Sequence, residues 1–217
     1  MARQPASRSF AAHRLGKCKP LGAEDRRLLR KSPAIVGIDE VGRGALAGPV
    51  VVCGVRFFKI PRHAGIRDSK RLSEKRRKQV SLWVREHSDA WVIVEVWPEV
   101  IDRINILEAT RMAMRAVVQI LKRPGDTVVV DAVSLGDGYE SVLSPIKADD
   151  RYFSVAAASN VAKVHRDGLM VELVDAYPLW DWEHNKGYGT RKHLIGIAEH
   201  GRSCLHRRSF RCSPVLP

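Results

Sequence analysis

The chain has 217 residues, 45% hydrophobic and 28% charged, which suits one folded domain of α/β size and excludes an intrinsically disordered chain. No apolar run reaches the ~18 residues of a membrane span, so a helical membrane protein is excluded as well. With 37 Lys and Arg against 24 Asp and Glu the net charge is +13, the footprint of a protein that meets phosphate backbones or anionic surfaces, and nucleic acid is the first partner to expect.

Residues 1–32 carry nine Lys and Arg against only Glu24 and Asp25, with few large apolar residues and no periodicity. This stretch reads as a flexible basic N-terminal extension, and residues 33–217 as the folded domain. Its Arg- and Ser-containing, acid-poor start also fits a transit peptide, whereas no apolar stretch follows the first basic residues as a secretory signal requires. After Pro33, residues 34–39 form a short apolar strand that ends in acid. Gly42, Gly44 and Gly48-Pro49 then break the chain before a second, β-branched strand from Val50 to Phe57, so the pair reads as a hairpin with a glycine-rich turn. Ser73 opens a basic helix to about His87, and residues 91–97 alternate as a third strand. Residues 104–121 place Ile106, Leu107, Met114, Val117, Val118 and Leu121 at helical spacing, a core-facing helix. Pro124-Gly125-Asp126 turns the chain into a fourth strand over residues 127–131, whose continuous apolar run implies burial on both faces and which also ends in Asp. An alanine-rich run over residues 155–177 is a long helix that Pro178 stops. Strands followed by helices predict an α/β fold, and the opening hairpin makes its sheet mixed. Cys53, inside a valine run, reads as a small core residue; the four cysteines lack metal-site spacing, and a reducing cytoplasm is the expected compartment.

Two strands that each end in an acid, with the pair Asp149-Asp150 ahead of the long helix, form a pattern that folding alone does not require. Asp39, Glu40, Asp131 and Asp149 can converge if the first and fourth strands are neighbours, and such a cluster does not stay ionised without cations. Hard oxygen ligands favour Mg²⁺ or Mn²⁺. An acidic, metal-binding notch in a basic protein suits cleavage of a phosphodiester: the basic surround holds the polymer and the metals do the chemistry. Asp39 and Glu40 are adjacent, so a regular strand points them to opposite faces, and the turn is expected to rotate the second into the site. Gly42 and Gly44 permit this, because glycine tolerates φ > 0 and a close approach of another molecule's backbone.

Residues 42–47 also fit G-x-G-x-x-A, the dinucleotide fingerprint. Against it, Gly48-Pro49 and a β-branched run follow where a helix is needed, Asp39 and Glu40 would repel a pyrophosphate, and residues 57–63 offer no acid for a ribose. A basic nucleic-acid-binding module whose acids merely end strands is the remaining alternative of a different class.

Ile38-Asp39-Glu40-Val41-Gly42-Arg43-Gly44 with Ala47-Gly48-Pro49-Val50 resembles the opening motif of ribonuclease HII. The resemblance runs on through Asp68-Ser69-Lys70, Ile104-Asn105-Ile106-Leu107, Val130-Asp131, Lys147-Ala148-Asp149 and Ala156-Ala157-Ala158-Ser159. It continues with Ala162-Lys163-Val164, Arg166-Asp167, Asn185-Lys186-Gly187-Tyr188-Gly189-Thr190, His193 and His206-Arg207-Arg208-Ser209-Phe210, and so covers about residues 34 to 210. Two positions depart from the family pattern: Ala148 replaces its usual Gly, and Asn160 its usual aliphatic residue.

The resemblance implies a ribonuclease H-like fold with a helical C-terminal portion, in which Asp39, Glu40, Asp131 and Asp149 are the catalytic, metal-binding acids of a two-metal Mg²⁺ or Mn²⁺ site. It implies hydrolysis of the RNA strand of RNA/DNA hybrids and cleavage at single ribonucleotides embedded in DNA, leaving 3′-hydroxyl and 5′-phosphate ends; apart from the resemblance, the chain is expected to be a monomer, and the lack of a long apolar run predicts no membrane association. It also implies that the Gly42-Arg43-Gly44 backbone contacts the ribose 2′-hydroxyl and that Tyr188 stacks on the following sugar; Lys70, Lys163, Arg166 and Lys186 are candidate phosphate contacts. Asp167 reads as a partner in a local salt bridge, and His184, His193, His200 and His206 as structural or solvent-facing histidines.

Overall fold

The structure is a computed structural model that describes residues 21–61, 66 and 72–212. Its centre is a four-stranded sheet built from β1 (Ile35–Val41), β2 (Val50–Phe57), β3 (Ala90–Val96) and β4 (Thr127–Val130), in the spatial order β3-β2-β1-β4. The hairpin β1–β2 and the β2–β3 pair are antiparallel, while β4 returns parallel to β1, so the sheet is mixed as expected.

Helices cover both faces. On one side α4 (Ile106–Leu121) packs Ala113, Met114, Val117 and Leu121 against Val36, Ile38, Val52 and Val130. On the other, α5 (Phe153–Glu172) and α2 (Glu74–His87) pack against Val51, Cys53, Val55 and Phe57. The alternation along β1 therefore sends Val36 and Ile38 toward α4, and Gly37 and Asp39 toward α5. Gly37 is what lets α5 come close, since a Cβ there would overlap the main chain at Ser154. The short helices α6 (Trp182–Asn185) and α7 (Arg191–His200) follow and supply the helical C-terminal portion.

Three sequence expectations need correction. The helix expected over residues 104–121 is two: α3 (Pro98–Ile104) ends at Asn105, whose φ of 66° breaks the helix and whose side chain accepts the N–H groups of Leu107 and Glu108 to start α4. The last long helix ends at Glu172, well before Pro178. And the leader is not all extension. Residues 23–28 form α1 (Ala23–Leu28), and Asp25 is fully buried, accepting the backbone N–H of Phe153 at 2.7 Å and both the N–H and hydroxyl of Ser154. Tyr152, at the start of α5, has no capping side chain of its own, so Asp25 fills that place from 128 residues away. Burial pushes the Asp25 carboxyl above the usual range, while the bonds from Ser154 and Phe153 pull it back.

Candidate active site

The acids meet at the carboxyl ends of two adjacent parallel strands. Register pairs Ile38 with Val130, so Asp39 and Asp131 come next on neighbouring strands, and Asp131 donates its N–H to the Ile38 carbonyl at 3.3 Å. Asp39 is 6% exposed, accepts the Glu40 N–H at 2.8 Å and is hydrogen-bonded by Ser159 of α5. Its carboxyl is held well above the usual range, chiefly by burial, then by the charge of Glu40, with Asp131 adding to it. The Glu40 carboxyl is raised by burial and by Asp131, against the pull of Arg43, whose Nη1 lies 3.2 Å from Oε1. The other oxygen, Glu40 Oε2, is buried without a hydrogen-bond partner among the described residues.

The expected rotation of Glu40 by the turn is not what brings it in. Glu40 remains in the ladder opposite Val52, on the face away from Asp39. It is β4 that gives way: pairing stops at Val130, Ala132 takes φ 50°, and Asp131 at the frayed end interacts with the acids of both faces. Asp131 Oδ1 also accepts the Ala148 N–H at 2.7 Å, which ties the Asp149 segment to the same strand end. Asp149 is 7% exposed and Asp150 exposed, so burial separates the two acids that sequence left adjacent. The left-handed residue there is Lys147, with φ 55°, and the Ala148 methyl packs among Ile35, Val129, Tyr152 and Val155, so Ala replaces Gly without strain. Asn160 is buried in α5 and donates to the Ala156 carbonyl, a local packing change.

The glycine turn is held from beneath by two buried arginines. Arg166 of α5 donates to the carbonyls of Pro49, Lys186 and Ala47 at 2.8–3.0 Å, and Arg207 donates to Gly48 and Arg43 at 2.9–3.1 Å. Both are 0–1% exposed, and no carboxylate among the described residues is in ion-pair distance of either, so two positive charges stand under the turn. Burial works against the charged form of each. The sequence places Arg166 on a phosphate; in the structure it is 0% exposed and gives three of its five N–H donors to these carbonyls, so it braces the turn. Gly42 is buried with φ 92°, whereas Gly44 is exposed, has no positive φ, and has nothing within 4 Å of where a Cβ would stand. Of these two, Gly42 is the one the turn's conformation requires; Gly44 is a bare backbone open to a neighbour.

Tyr188 is half-buried beside this turn, its ring centroid 5.3 Å from Arg166 Cζ and 5.7 Å from Lys163 Nζ, within cation–π range. Lys163 is ion-paired with Asp167 at 2.8 Å, the local salt bridge expected for that acid, and Lys186 donates to the Glu183 carbonyl. Lys70 lies outside the described residues. Sequence reasoning missed Arg207 as a brace, although it stood within a motif. His193 and His206 are buried and His184 is exposed, in keeping with structural and solvent-facing roles.

The donor set is all carboxylate oxygen, the chemistry of a hard divalent cation. Among the described residues no three His, Cys, Asp or Glu side chains already stand at metal-ligand spacing. The unpartnered Glu40 Oε2 and the carboxyls of Asp39 and Glu40, raised by burial first and by neighbouring acids second, nonetheless fit such an ion, which would satisfy the first and offset the cost of charge on the others. No described helix is long and apolar enough to cross a membrane.

The family model described as Ribonuclease HII matches residues 36–213. The chain is 42% identical to a ribonuclease HII of Pelodictyon phaeoclathratiforme, covering 85% of this chain and 92% of that protein. It is 40% identical to one of Francisella tularensis, covering 84% and 97%. Among solved structures it resembles the RNase HII of a PCNA:RNase HII complex from Archaeoglobus fulgidus, with a TM-score of 0.67 at 28% identity over 80% of this chain and 92% of that one.

Proposed function

The chain belongs to the ribonuclease HII family, a ribonuclease H with the mixed, helix-flanked sheet of that fold, and from that premise we propose that it hydrolyses the RNA strand of RNA/DNA hybrids and cuts at single ribonucleotides embedded in duplex DNA. The products are a 3′-hydroxyl and a 5′-phosphate. The observation that carries this reading is the meeting of Asp39, Glu40 and Asp131 at the ends of adjacent strands in a protein of net charge +13. Asp39, Glu40, Asp131 and Asp149 would hold two Mg²⁺ or Mn²⁺ ions, which when bound supply an activated water and charge stabilisation at the leaving oxygen.

The remaining work falls to the chain's own groups. The exposed backbone of Gly44, carried on a turn that Arg166 and Arg207 hold fixed, comes close enough to a ribose to hydrogen-bond its 2′-hydroxyl, which DNA lacks. Tyr188, next to it, stacks on the following deoxyribose and so marks the RNA-to-DNA junction. Lys163, Lys186 and Lys70 lend positive charge to the phosphates. The test is a titration of Mg²⁺ and of Mn²⁺ against a duplex containing one ribonucleotide. Cleavage 5′ to that nucleotide, dependent on the metal, supports the reading; salt-sensitive binding without cleavage makes the chain a binding module.

A further inference from the structure

Behind Tyr188 lies a buried pair of histidines that the proposed chemistry does not use. His193 is 0% and His206 2% exposed, and their Nε2 atoms are 3.0 Å apart. Their partners fix every proton on the two rings. His193 Nδ1 faces the Tyr188 carbonyl at 2.9 Å, an acceptor only, so Nδ1 carries the hydrogen. Its Nε2 is then a lone pair, shared between the indole N–H of Trp182 at 3.2 Å and His206 at 3.0 Å. His206 has the opposite tautomer: Nδ1 accepts the Ser203 backbone N–H at 2.9 Å, leaving Nε2–H to donate to His193. Burial lowers the pKa of both rings, that of His206 to about 4, so both are neutral at physiological pH.

The two ends of this relay are the two walls around the glycine turn. At one end, Gly187, the residue before Tyr188, accepts the N–H groups of Leu46 and Ala47. At the other, His206 bridges Ala47, and the next residue, Arg207, holds the carbonyls of Arg43 and Gly48. The Thr190 N–H is the second donor to the Tyr188 carbonyl, at 2.8 Å, but it is local to the same loop. Among the described residues, His193 alone ties that carbonyl to the segment that carries Arg207.

We infer that His193 and His206 are positioning residues for substrate selection: their opposed tautomers fix the Tyr188 loop relative to the Gly42-Arg43-Gly44 turn, and thereby set how strongly the enzyme prefers a single embedded ribonucleotide over a continuous hybrid. This rests on the reading of Tyr188 as the junction contact. The pair touches neither the acids nor the substrate, so hydrolysis itself does not depend on it.

The experiment measures the ratio of kcat/KM on a duplex with one ribonucleotide to that on a uniform RNA/DNA hybrid, with thermal unfolding of each variant alongside. Tyr188→Ala lowers the ratio. His193→Phe, which keeps a flat ring and removes the hydrogen bonds, lowers it by about fivefold, the effect of one lost hydrogen bond. His193→Asn, whose amide N–H can take the place of Nδ1–H, restores most of it, and His193→Phe has no further effect on the ratio in a Tyr188→Ala background. Equal losses on both substrates, or an unchanged ratio in His193→Phe when Tyr188→Ala does lower it, overturn the relay while leaving Tyr188 as the junction contact. A ratio unmoved by Tyr188→Ala overturns the reading of Tyr188 and the inference with it. Should His193→Phe fail to fold, ¹⁵N NMR of the wild-type imidazoles decides at pH 7: Nδ1–H on His193 with Nε2–H on His206 supports the relay, and any other pair of tautomers overturns it.

Discussion

Arg166 packs its side chain against the bare Cα of Gly42 and leaves no room for a methyl group: a Cβ built on Gly42 would fall 2.7 Å from Arg166 Cδ and closer still to Nε. With φ at 92°, Gly42 is also in the left-handed region that costs other residues ~1–2 kcal/mol. Gly42→Ala is therefore expected to destabilise the fold by about 2–4 kcal/mol, read as a lower midpoint in chemical denaturation. Gly44→Ala meets open space in the folded protein, so its midpoint stays at the wild-type value while kcat/KM on a ribonucleotide-containing duplex falls. Equal stability losses in both would show that the turn needs both glycines for folding.

The two ends of the leader separate in the same kind of experiment. Residues 1–20 hold five Lys and Arg and no acid, so deleting them should leave turnover intact and flatten the salt dependence of nucleic-acid binding. Asp25→Ala removes the acceptor for two backbone N–H groups at the start of α5 and should cost about 2–3 kcal/mol of stability with no change in salt slope. A deletion extended through residue 31 should combine both effects.

Stability should carry the signature of His206. Its pKa is lowered to about 4, chiefly by burial, with the neighbouring His193 ring and the Arg202 guanidinium opposing a second positive charge, so the fold favours the neutral ring. That contribution is fully present above the ordinary value of 6.5 and is lost as pH falls from 6.5 toward 4. Asp25, Asp39 and Glu40, with raised values, act in the opposite sense over the acid range, so the informative quantity is a difference. The unfolding free energy of wild type minus that of His206→Gln should shrink as pH is lowered through this window; a pH-independent difference would show that protonation of His206 does not oppose folding.

The neighbouring acids before α5 give a sharper contrast. Asp149 is buried beside the Ala148 N–H that Asp131 holds, and Asp150 is exposed. Asp149→Asn should lower kcat by about 100-fold or more, and Asp150→Asn by less than about threefold. Single-turnover rates at saturating Mg²⁺ measure this, and the reverse order would move the fourth acid by one residue.

What the sequence disclosed and what it hid follow from the range of the interactions. The strands, α2 and α4 were legible because apolar periodicity and local caps such as Ser73 are written within a few residues of the elements they make. The ends of the acids' strands were legible for the same reason. Hidden were contacts that join distant segments: Asp25 reaching α5, Arg166 and Arg207 bonding only to backbone carbonyls, and the frayed end of β4 that lets Asp131 serve Glu40 as well as Asp39. Arg166 shows the limit most clearly. Its position in a motif marked it as important, but a guanidinium that holds phosphate and one that holds three carbonyls look alike in a sequence. Asn105 was a signal that could have been read, since an Asn between two apolar turns with Glu three residues on is a cap.

The most direct test of the central claim is a paired measurement on Asp131→Asn, which removes one charge from the acid cluster and little of the basic surface. At saturating Mg²⁺, cleavage of a duplex with a single ribonucleotide should fall to background while the dissociation constant for that duplex, measured in Ca²⁺ or without metal, stays within about threefold of wild type. Retained cleavage would contradict the account, because the strand end where Asp39, Glu40 and Asp131 meet would then not be the place where the phosphodiester is cut.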